Sequence, residues 1–306
     1  MKKFLSENLQ FSLFLFIFYL CFIVISGLFF PEFLRRNLIY TLGGNGFTYT
    51  RLKEVKDISH VDVLFLGSSR AYRNFDTRIF DAAGLTSFNL GTSNQTPVQS
   101  LYLLEKYLDQ LKPATIVFEV NPDIFSNNGV ESAIDIISNE KMNVSLLKMV
   151  IDINHIKVWN TLIYSTFRKI TGLENSFIEG NQKTDQKYIK GGYVLSLTEN
   201  FDQDAGNSYV CHLNRKQLDA FEKIISLVKS ANIEILLVQS PVVPALYNSC
   251  SVNKNFDSLM NQSSHYINFN RTLNLTDTLH FTDGQHLNQN GVAIFCNEIL
   301  KFLTSH

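Results

Sequence analysis

The stretch VDVLFLGSSRAYRNFD, residues Val61 to Asp76, carries the strongest structural signal in the 306-residue sequence. Its apolar run ends in a glycine, two serines and an arginine. This pattern is typical of a buried strand that leads into a tight turn. A buried strand explains the apolar residues but not two hydroxyl groups directly after the turn. The question is therefore whether Ser68 or Ser69 has partners elsewhere in the chain that make it a nucleophile.

Further apolar strands alternate with helices along the chain. Strands are predicted over the four segments TSFNLG, ATIVFEV, IEILLVQSP and YINFN. Near-continuous apolar strands separated by helices predict an α/β fold, a flavodoxin-like parallel sheet of about five strands with helices on both faces. Ligands of such sheets bind beyond the carboxyl ends of the strands, so Ser69, Gly91 and Asn121 are expected at one edge.

The N-terminal region predicts a membrane anchor. Phe11 to Phe30 is a run of twenty residues without a charge, and about 20 apolar residues cross the hydrocarbon core of a bilayer. A cleavable signal peptide is the alternative, although its apolar region usually covers only about 7–15 residues. Basic residues flank the run on both sides, so the charge pattern leaves its orientation open.

The domain organisation follows from these elements. Residues 1–30 are predicted as the transmembrane anchor and residues 31–58, which are mixed and glycine-containing, as a linker. Residues 59–306 are predicted as one α/β domain. Within it, residues 124–207 interrupt the alternation of strands and helices, and we interpret them as an insert that forms a cap or a docking region.

Composition excludes several functional classes. The formal net charge is −1, and no basic run predicts a nucleic-acid partner. No cysteine–histidine spacing typical of a metal site is present, so neither a metal nor an organic cofactor is expected. Of the four cysteines, Cys296 is predicted as a core thiol, and Cys211 and Cys250 could pair if the domain lies outside the cytoplasm.

The segment HFTDGQHLNQNG, residues 280–291, supplies the partners that a serine nucleophile needs. Asp283 and His286 are three positions apart with a glycine between them, so the carboxylate can reach Nδ1 of the histidine and leave Nε2 free to face a serine. The alternative is structural, with both serines capping the following helix and His286 lying on the surface. His280 is expected to be structural.

Acyl transfer also needs hydrogen-bond donors for the developing oxyanion. The backbone N–H groups of Ser69 and Gly91 and the side-chain amide of Asn121 are the candidates. Asn121 could instead form a turn before the proline that follows it. Arg70 and Arg73 are expected to position the turn or to meet a surface carboxylate rather than bind substrate.

The order of these blocks resembles that of the SGNH (GDSL-like) hydrolase superfamily. The resemblance covers about residues 59–125 and 210–303, and it maps the family's nucleophile onto Ser69. The GSSR form of the first block, the DGQHLN ending and the anchor resemble the membrane-anchored branch, which includes the D-alanyl transfer protein of teichoic acids and the alginate O-acetylation proteins. The third block departs from the family's usual Gly-x-Asn-Asp and reads EVNPD here.

The resemblance implies a serine esterase or O-acyltransferase on the outer side of a bacterial cytoplasmic membrane. Its substrate would be an acylated glycan or another cell-envelope polymer. A multi-spanning membrane acyltransferase is expected as a partner for a different reason, because activated acyl donors are made in the cytoplasm and a single apolar helix offers no path for an acyl group. Two alternatives are a catalytically silent accessory protein that binds glycan or positions a membrane acyltransferase, and a soluble lipase-like esterase.

Overall fold

The computed structural model describes residues 1–198, 201–202 and 211–304, except for the side chain of Asn45. Residues 199–200 and 203–210, most of which belong to the predicted insert, and the last two residues lie outside this description. The described residues form eight strands: β1 (Val63–Leu66), β2 (Ser87–Asn89), β3 (Thr115–Glu119), β4 (Gln182–Lys183), β5 (Gln186–Ile189), β6 (Tyr193–Ser196), β7 (Glu234–Gln239) and β8 (His265–Asn268).

Helices precede, separate and follow these strands. In chain order they are α1 (Lys2–Phe29), α2 (Glu32–Leu38), α3 (Thr48–Glu54), α4 (Ser69–Asn74), α5 (Thr77–Ala82), α6 (Pro97–Leu111), α7 (Pro122–Ser126), α8 (Val130–Asn139), α9 (Val144–Ile153), α10 (Ile156–Thr171), α11 (Arg215–Ser230), α12 (Pro244–Ser249), α13 (Asn253–Ser263), α14 (Phe269–Thr272), α15 (Asp277–His280) and α16 (Gln289–Thr304). The 3₁₀ turns Asn45–Phe47 and Val55–Asp57 flank α3.

The main sheet has five strands in the order β2-β1-β3-β7-β8. Every neighbouring pair is parallel, with Val63 of β1 opposite Ser87 on one side and Thr115 on the other. Counting only the strands of this sheet, the order is 2-1-3-4-5, which is that of flavodoxin-like folds. The predicted fold class is confirmed, including the fifth strand, which is the weakest in the sequence.

Alternate residues of each strand enter two separate cores. Leu64 and Leu66 of β1 join the core that α6 and α11 cover, whereas Val63 and Phe65 join the core that α5 and α16 cover. This alternation follows from the period of two in a strand, because successive side chains point to opposite faces. The sheet is therefore buried on both sides, and all four residues of β1 are fully buried.

The segment predicted as a linker is folded and packed into the domain. Its α3 and the turn before it bury Phe47 and Leu52. The fully buried Arg51 donates to the carbonyl of Gly192, with Nε at 3.1 Å and Nη2 at 2.9 Å. The sequence suggested a linker because the glycines of this segment obscure its apolar spacing. Gly46 has φ +63° and lies in the turn that leads into α3.

The predicted insert contains six elements besides α7. Helices α8, α9 and α10 pack against one another, with α9 also against α6, and β4, β5 and β6 form a small antiparallel sheet. Helix α10 also receives the end of α1, because the hydroxyl of Tyr164 donates to the carbonyl of Gly27 at 3.0 Å.

Two of the cysteines form a disulfide, and Cys296 is a free thiol in the core. Cys211 and Cys250 form a disulfide with a Cα–Cα distance of 5.5 Å, which joins the segment after the insert to the turn after α12. Cys296 is a buried free thiol that donates to the carbonyl of Asn74 at 3.1 Å. Its prediction as a core thiol is confirmed. Burial raises its pKa far above the ordinary range of a thiol.

Candidate active site

The turn after β1 places the two serines in different environments. Gly67 has φ +138°, and a Cβ atom there would lie 2.8 Å from Cβ of Glu119, so only glycine fits this close approach. Ser68 is buried, and its Oγ accepts from the N–H of Arg70 at 3.3 Å as the cap of α4. Ser69 is the first residue of α4, and its side chain is half-buried.

Ser69, His286 and Asp283 form one hydrogen-bonded chain. The Oγ of Ser69 lies 2.8 Å from Nε2 of His286, and Nδ1 of His286 lies 2.9 Å from Oδ2 of Asp283. The N–H groups of Gln285 and His286 donate to Oδ1 of Asp283 at 2.7 Å and 2.9 Å, which fixes the carboxylate within its own loop. The structure therefore brings together the three residues predicted as catalytic, with Ser69 rather than Ser68 facing the histidine.

The surroundings of His286 and Asp283 determine the protonation state of each side chain. Burial lowers the pKa of His286 to about 4, and Arg73 and Arg70 act in the same direction, while the hydrogen bond to Asp283 opposes them. Burial raises the pKa of Asp283, but the hydrogen bonds from His286 and Gln285 outweigh it and leave the pKa at about 2. At neutral pH the histidine is neutral and the aspartate is ionised, as a general base and its orienting group must be.

Arg73 lies closer to this chain than the sequence suggested. It follows Ser69 by four positions on α4, so both side chains share one face of the helix. Its Nη1 is 4.0 Å from Oδ2 of Asp283, and its Nε is buried without a hydrogen-bond partner among the described residues. The carboxylate that Arg73 meets is therefore the one that orients His286, and not one on the surface.

The three predicted oxyanion donors differ in their availability. The N–H of Ser69 has no hydrogen-bond partner among the described residues. The N–H of Gly91 donates to Oδ1 of Asn89 at 2.9 Å. Asn121 is fully buried, its amide donates to Glu119, and its Oδ1 accepts from the N–H of Ile124 as the cap of α7. Asn121 thus has a structural role here, and the donor roles of Gly91 and Asn121 stay predictions that require these bonds to exchange.

A buried carboxylate lies beneath the nucleophile turn. Glu119 accepts from the hydroxyl of Ser68 at 3.3 Å and from the amide of Asn121 at 3.1 Å and 3.2 Å. Burial raises the pKa of Glu119, although the nearby Arg70 acts in the opposite direction. In the segment EVNPD, Glu119 stands at the position of the glycine in the pattern Gly-x-Asn-Asp. Its carboxylate accepts the hydrogen bonds of the Asn121 amide, which a glycine could not do.

The reactive chain opens into a polar cleft of about 440 Å³. One wall comes from the sheet half of the molecule and includes Ser69, Arg73 and His286. The other wall comes from the segment predicted as a linker, from the residues after β2 and from the predicted insert. These residues are Gly44 and Gly46 before α3, Ser93 and Asn94 after β2, and Lys183, Asp185 and Gln186 in the small sheet.

For some residues of this second wall, the sequence indicated a position near the site. Ser93 and Asn94 follow the predicted strand end at Gly91, and their side chains donate to Glu131 of α8 at 2.7 Å and 2.5 Å. Lys183 had none, because its contribution depends on a tertiary contact. Its Nζ donates to the carbonyls of Gly43 at 3.2 Å and Gly44 at 2.6 Å.

His280 lies outside the cleft, and its Nδ1 accepts from the N–H of Thr276 at 2.8 Å. Among the described residues, no group of three or more His, Cys, Asp or Glu side chains is placed to hold a metal ion.

Comparison with known proteins finds distant structural likeness. No family model matches the sequence, and no curated protein matches it. The chain is similar to the crystal structure of a GDSL-like lipase from Bacteroides thetaiotaomicron, with 12% identity, a TM-score of 0.42, and coverage of 85% of this chain and 98% of that one. It is also similar to a proposed acylhydrolase from Bacteroides fragilis, with 12% identity, a TM-score of 0.43, and coverage of 87% and 98%. Likeness at this level says nothing by itself of activity, which depends on the side chains at the cleft.

Proposed function

We propose that this protein is a membrane-anchored serine esterase or O-acyltransferase of the SGNH type that acts on acyl esters of an extracytoplasmic polysaccharide or cell-envelope polymer. The observation that carries the proposal is the continuous hydrogen-bonded chain from Ser69 through His286 to Asp283. A surface histidine or a capping serine does not require this alignment. The chain also opens into a cleft that has room for an ester.

The geometry supports a two-step reaction. Nε2 of His286 takes the proton of Ser69 while Oγ attacks the acyl carbonyl, and the N–H of Ser69 donates to the oxyanion that forms. His286 then gives this proton to the departing alkoxide, and the acyl group stays on Ser69 as an ester. Water or a sugar hydroxyl attacks this ester next, with His286 again as the base, and Ser69 recovers its proton. Asp283 holds Nδ1 of the imidazole and stabilises its charge throughout.

Two observations support a location at a membrane with the domain outside the cytoplasm. Helix α1 has 28 residues and is long and apolar enough to cross a bilayer. The disulfide between Cys211 and Cys250 belongs to a class of bond that persists in oxidising compartments and is rare in the cytosol. Together they favour an anchor that holds the domain on the outer side.

A multi-spanning membrane acyltransferase remains our proposed partner. An enzyme that modifies an external polymer needs an activated acyl donor, and such donors are made in the cytoplasm. One apolar helix cannot carry an acyl group across the bilayer, because a polar path needs several helices around it. The insert and the anchor are the surfaces that we propose for docking.

The direct test is the mass of the intact protein after incubation with p-nitrophenyl acetate. Wild type should gain one acetyl group per chain, and Ser69→Ala should gain none. Ser68→Ala is the matched control because it removes a hydroxyl one residue away, and it should still be acetylated. Acetylation of Ser69→Ala at the wild-type level would contradict the proposed nucleophile.

A further inference from the structure

Helix α10 carries an apolar stripe along its whole length. Ile156, Trp159, Ile163, Phe167 and Ile170 follow one another at spacings of three and four residues, which places them on one face of the helix. The two ends of the stripe are open, because Ile156 is 61% exposed and Ile170 is 81% exposed. Between these ends Trp159 packs partly against the core that α6 and α11 cover, and Ile163 and Phe167 remain partly exposed.

The same helix is the one on which the anchor rests. The ring of Tyr164 covers Gly27 so closely that a Cβ atom there would lie 2.1 Å from it. The hydroxyl of Tyr19 donates to Oδ1 of Asn160 at 2.5 Å, and Ile23 is fully buried between these contacts. Ile163 and Phe167 of the stripe pack partly against this cluster. The stripe is therefore continuous with the surface of the anchor.

The length of the anchor sets the level at which α10 lies. Its 28 residues extend about 42 Å at about 1.5 Å per residue, whereas the hydrocarbon core is about 30 Å thick. With Phe11 to Phe30 in that core, Ile23 lies about 4 Å and Gly27 about 10 Å from its midplane, on the side of the domain, and a core shifted toward Phe4 moves both outward. Helix α10 therefore meets the anchor in the outer half of the bilayer.

The distribution of exposed apolar side chains agrees with this level. Among the described residues, only Met1, Leu279 and Ile294 are large, apolar and exposed outside α1, α2 and the insert. Near the anchor the exposed set includes Phe33 and Leu34 of α2, which directly follows α1. Arg35 lies beside them, and its Nη1 donates to the carbonyl of Gly27 at 3.5 Å. Apolar residues mixed with arginine are typical of elements that lie in a membrane interface.

We infer that α10 is a second membrane contact, which lies in the outer half of the bilayer with its stripe against lipid. The inference rests on the proposed anchoring by α1. The stripe continues a surface that lipid already surrounds, and lipid is therefore the occupant. The anchor α1 and the stripe of α10 then both hold the catalytic domain at the membrane. The same side of the domain therefore always faces the bilayer.

The protein contains a probe at the required place, because Trp159 is its only tryptophan. The full chain is reconstituted in phosphatidylcholine–phosphatidylglycerol vesicles, with and without bromine on the acyl-chain carbons near the headgroup. Bromine quenches an indole only when the two are in contact. We expect the brominated vesicles to lower the fluorescence of Trp159. Fluorescence equal in both vesicles would overturn the inference.

Matched variants separate the lateral contact from the anchor. In a Trp159→Phe background, Ile156→Trp and Leu279→Trp place the probe at positions that are 61% and 59% exposed. Only Ile156→Trp should be quenched, and equal quenching at both positions would overturn the inference. Phe16→Trp, measured in vesicles that carry bromine near the middle of the acyl chains, reports the anchor itself. If Phe16→Trp is quenched and Ile156→Trp is not, the anchor stands and the lateral contact fails, whereas no quenching at Phe16→Trp contradicts the anchoring proposal.

A protein occupant would give a different result. A photo-crosslinker at Ile156 that captures a multi-spanning membrane protein in cells, together with no quenching in vesicles, would assign the stripe to that protein and overturn the lipid contact. Quenching in purified vesicles, where no other protein is present, supports lipid.

Discussion

The two walls of the cleft are built in different ways. The wall with Ser69 and His286 stands on the ends of a regular parallel sheet, and Asp283 holds His286 from within the same loop before that histidine meets Ser69. The irregular wall, with Gly44 and Lys183, combines loops with short strands of the small sheet, and contacts between distant parts of the chain hold it together. This difference suggests that the sheet wall carries the chemistry and the irregular wall determines what reaches it.

The largest expected effect tests the sheet wall. Ser69→Ala should lower kcat/KM for p-nitrophenyl acetate by at least about 10³-fold, because the members of a catalytic triad act as a unit. Ser68→Ala should keep most of the activity and lose about 0.5–2 kcal/mol of stability with its helix cap. A smaller loss of activity in Ser69→Ala than in Ser68→Ala would reverse the assignment of the two serines.

The disulfide tests how firmly the segment after the insert is tied to the sheet half. Replacing both Cys211 and Cys250 by serine should lower the free energy of unfolding by about 2–4 kcal/mol, since the cross-link restricts the unfolded chain. Urea denaturation of the two proteins measures the difference. Cys296→Ser, which removes a buried free thiol, is the control for loss of a cysteine alone. An unchanged midpoint in the double variant would mean that the cross-link does not hold these two parts together.

Lys183 tests the irregular wall. Lys183→Ala removes hydrogen bonds from a charged donor to the carbonyls of Gly43 and Gly44, each worth about 1.5–3 kcal/mol. Amides near Gly44 should exchange with solvent faster, as hydrogen exchange followed by mass spectrometry can show. The exposed Lys187 on the same small sheet provides the control variant Lys187→Ala. Hydrolysis of a small ester should be nearly unchanged, and a loss as large as that of Ser69→Ala would end the distinction between the walls.

The smallest effect concerns the pH dependence. His286 acts as a base only when neutral, so activity should fall as the pH drops through its pKa of about 4. Arg73 contributes to keeping this pKa low, and Arg73→Gln should therefore raise it. The acid limb of kcat/KM against pH should move to higher pH in this variant. An acid limb that stays in place would mean that burial alone sets the pKa of His286.

The comparison of the walls also explains what the sequence could predict. The strands of the sheet and the pairing of Asp283 with His286 depend on local patterns, namely apolar runs, a glycine turn and a spacing of three residues. Lys183 and Gly44 come together only through folding of two segments about 140 positions apart, and no local pattern records that contact. Asn121 was predicted as a donor because it follows a strand, yet the carboxylate two positions earlier holds its amide, and only the buried geometry of Glu119 reveals this.

The bond between Arg51 and the carbonyl of Gly192 has a consequence for how far the enzyme can reach. This bond holds the segment between α1 and β1 inside the domain. The segment therefore cannot extend as a flexible linker would. Under the proposed anchoring, Ser69 would lie at a fixed distance from the bilayer. Only the layer of the cell envelope at that distance would be modified, and this layer would be thin. A polymer would then receive its acyl groups while passing this level, and material already farther out would remain untouched.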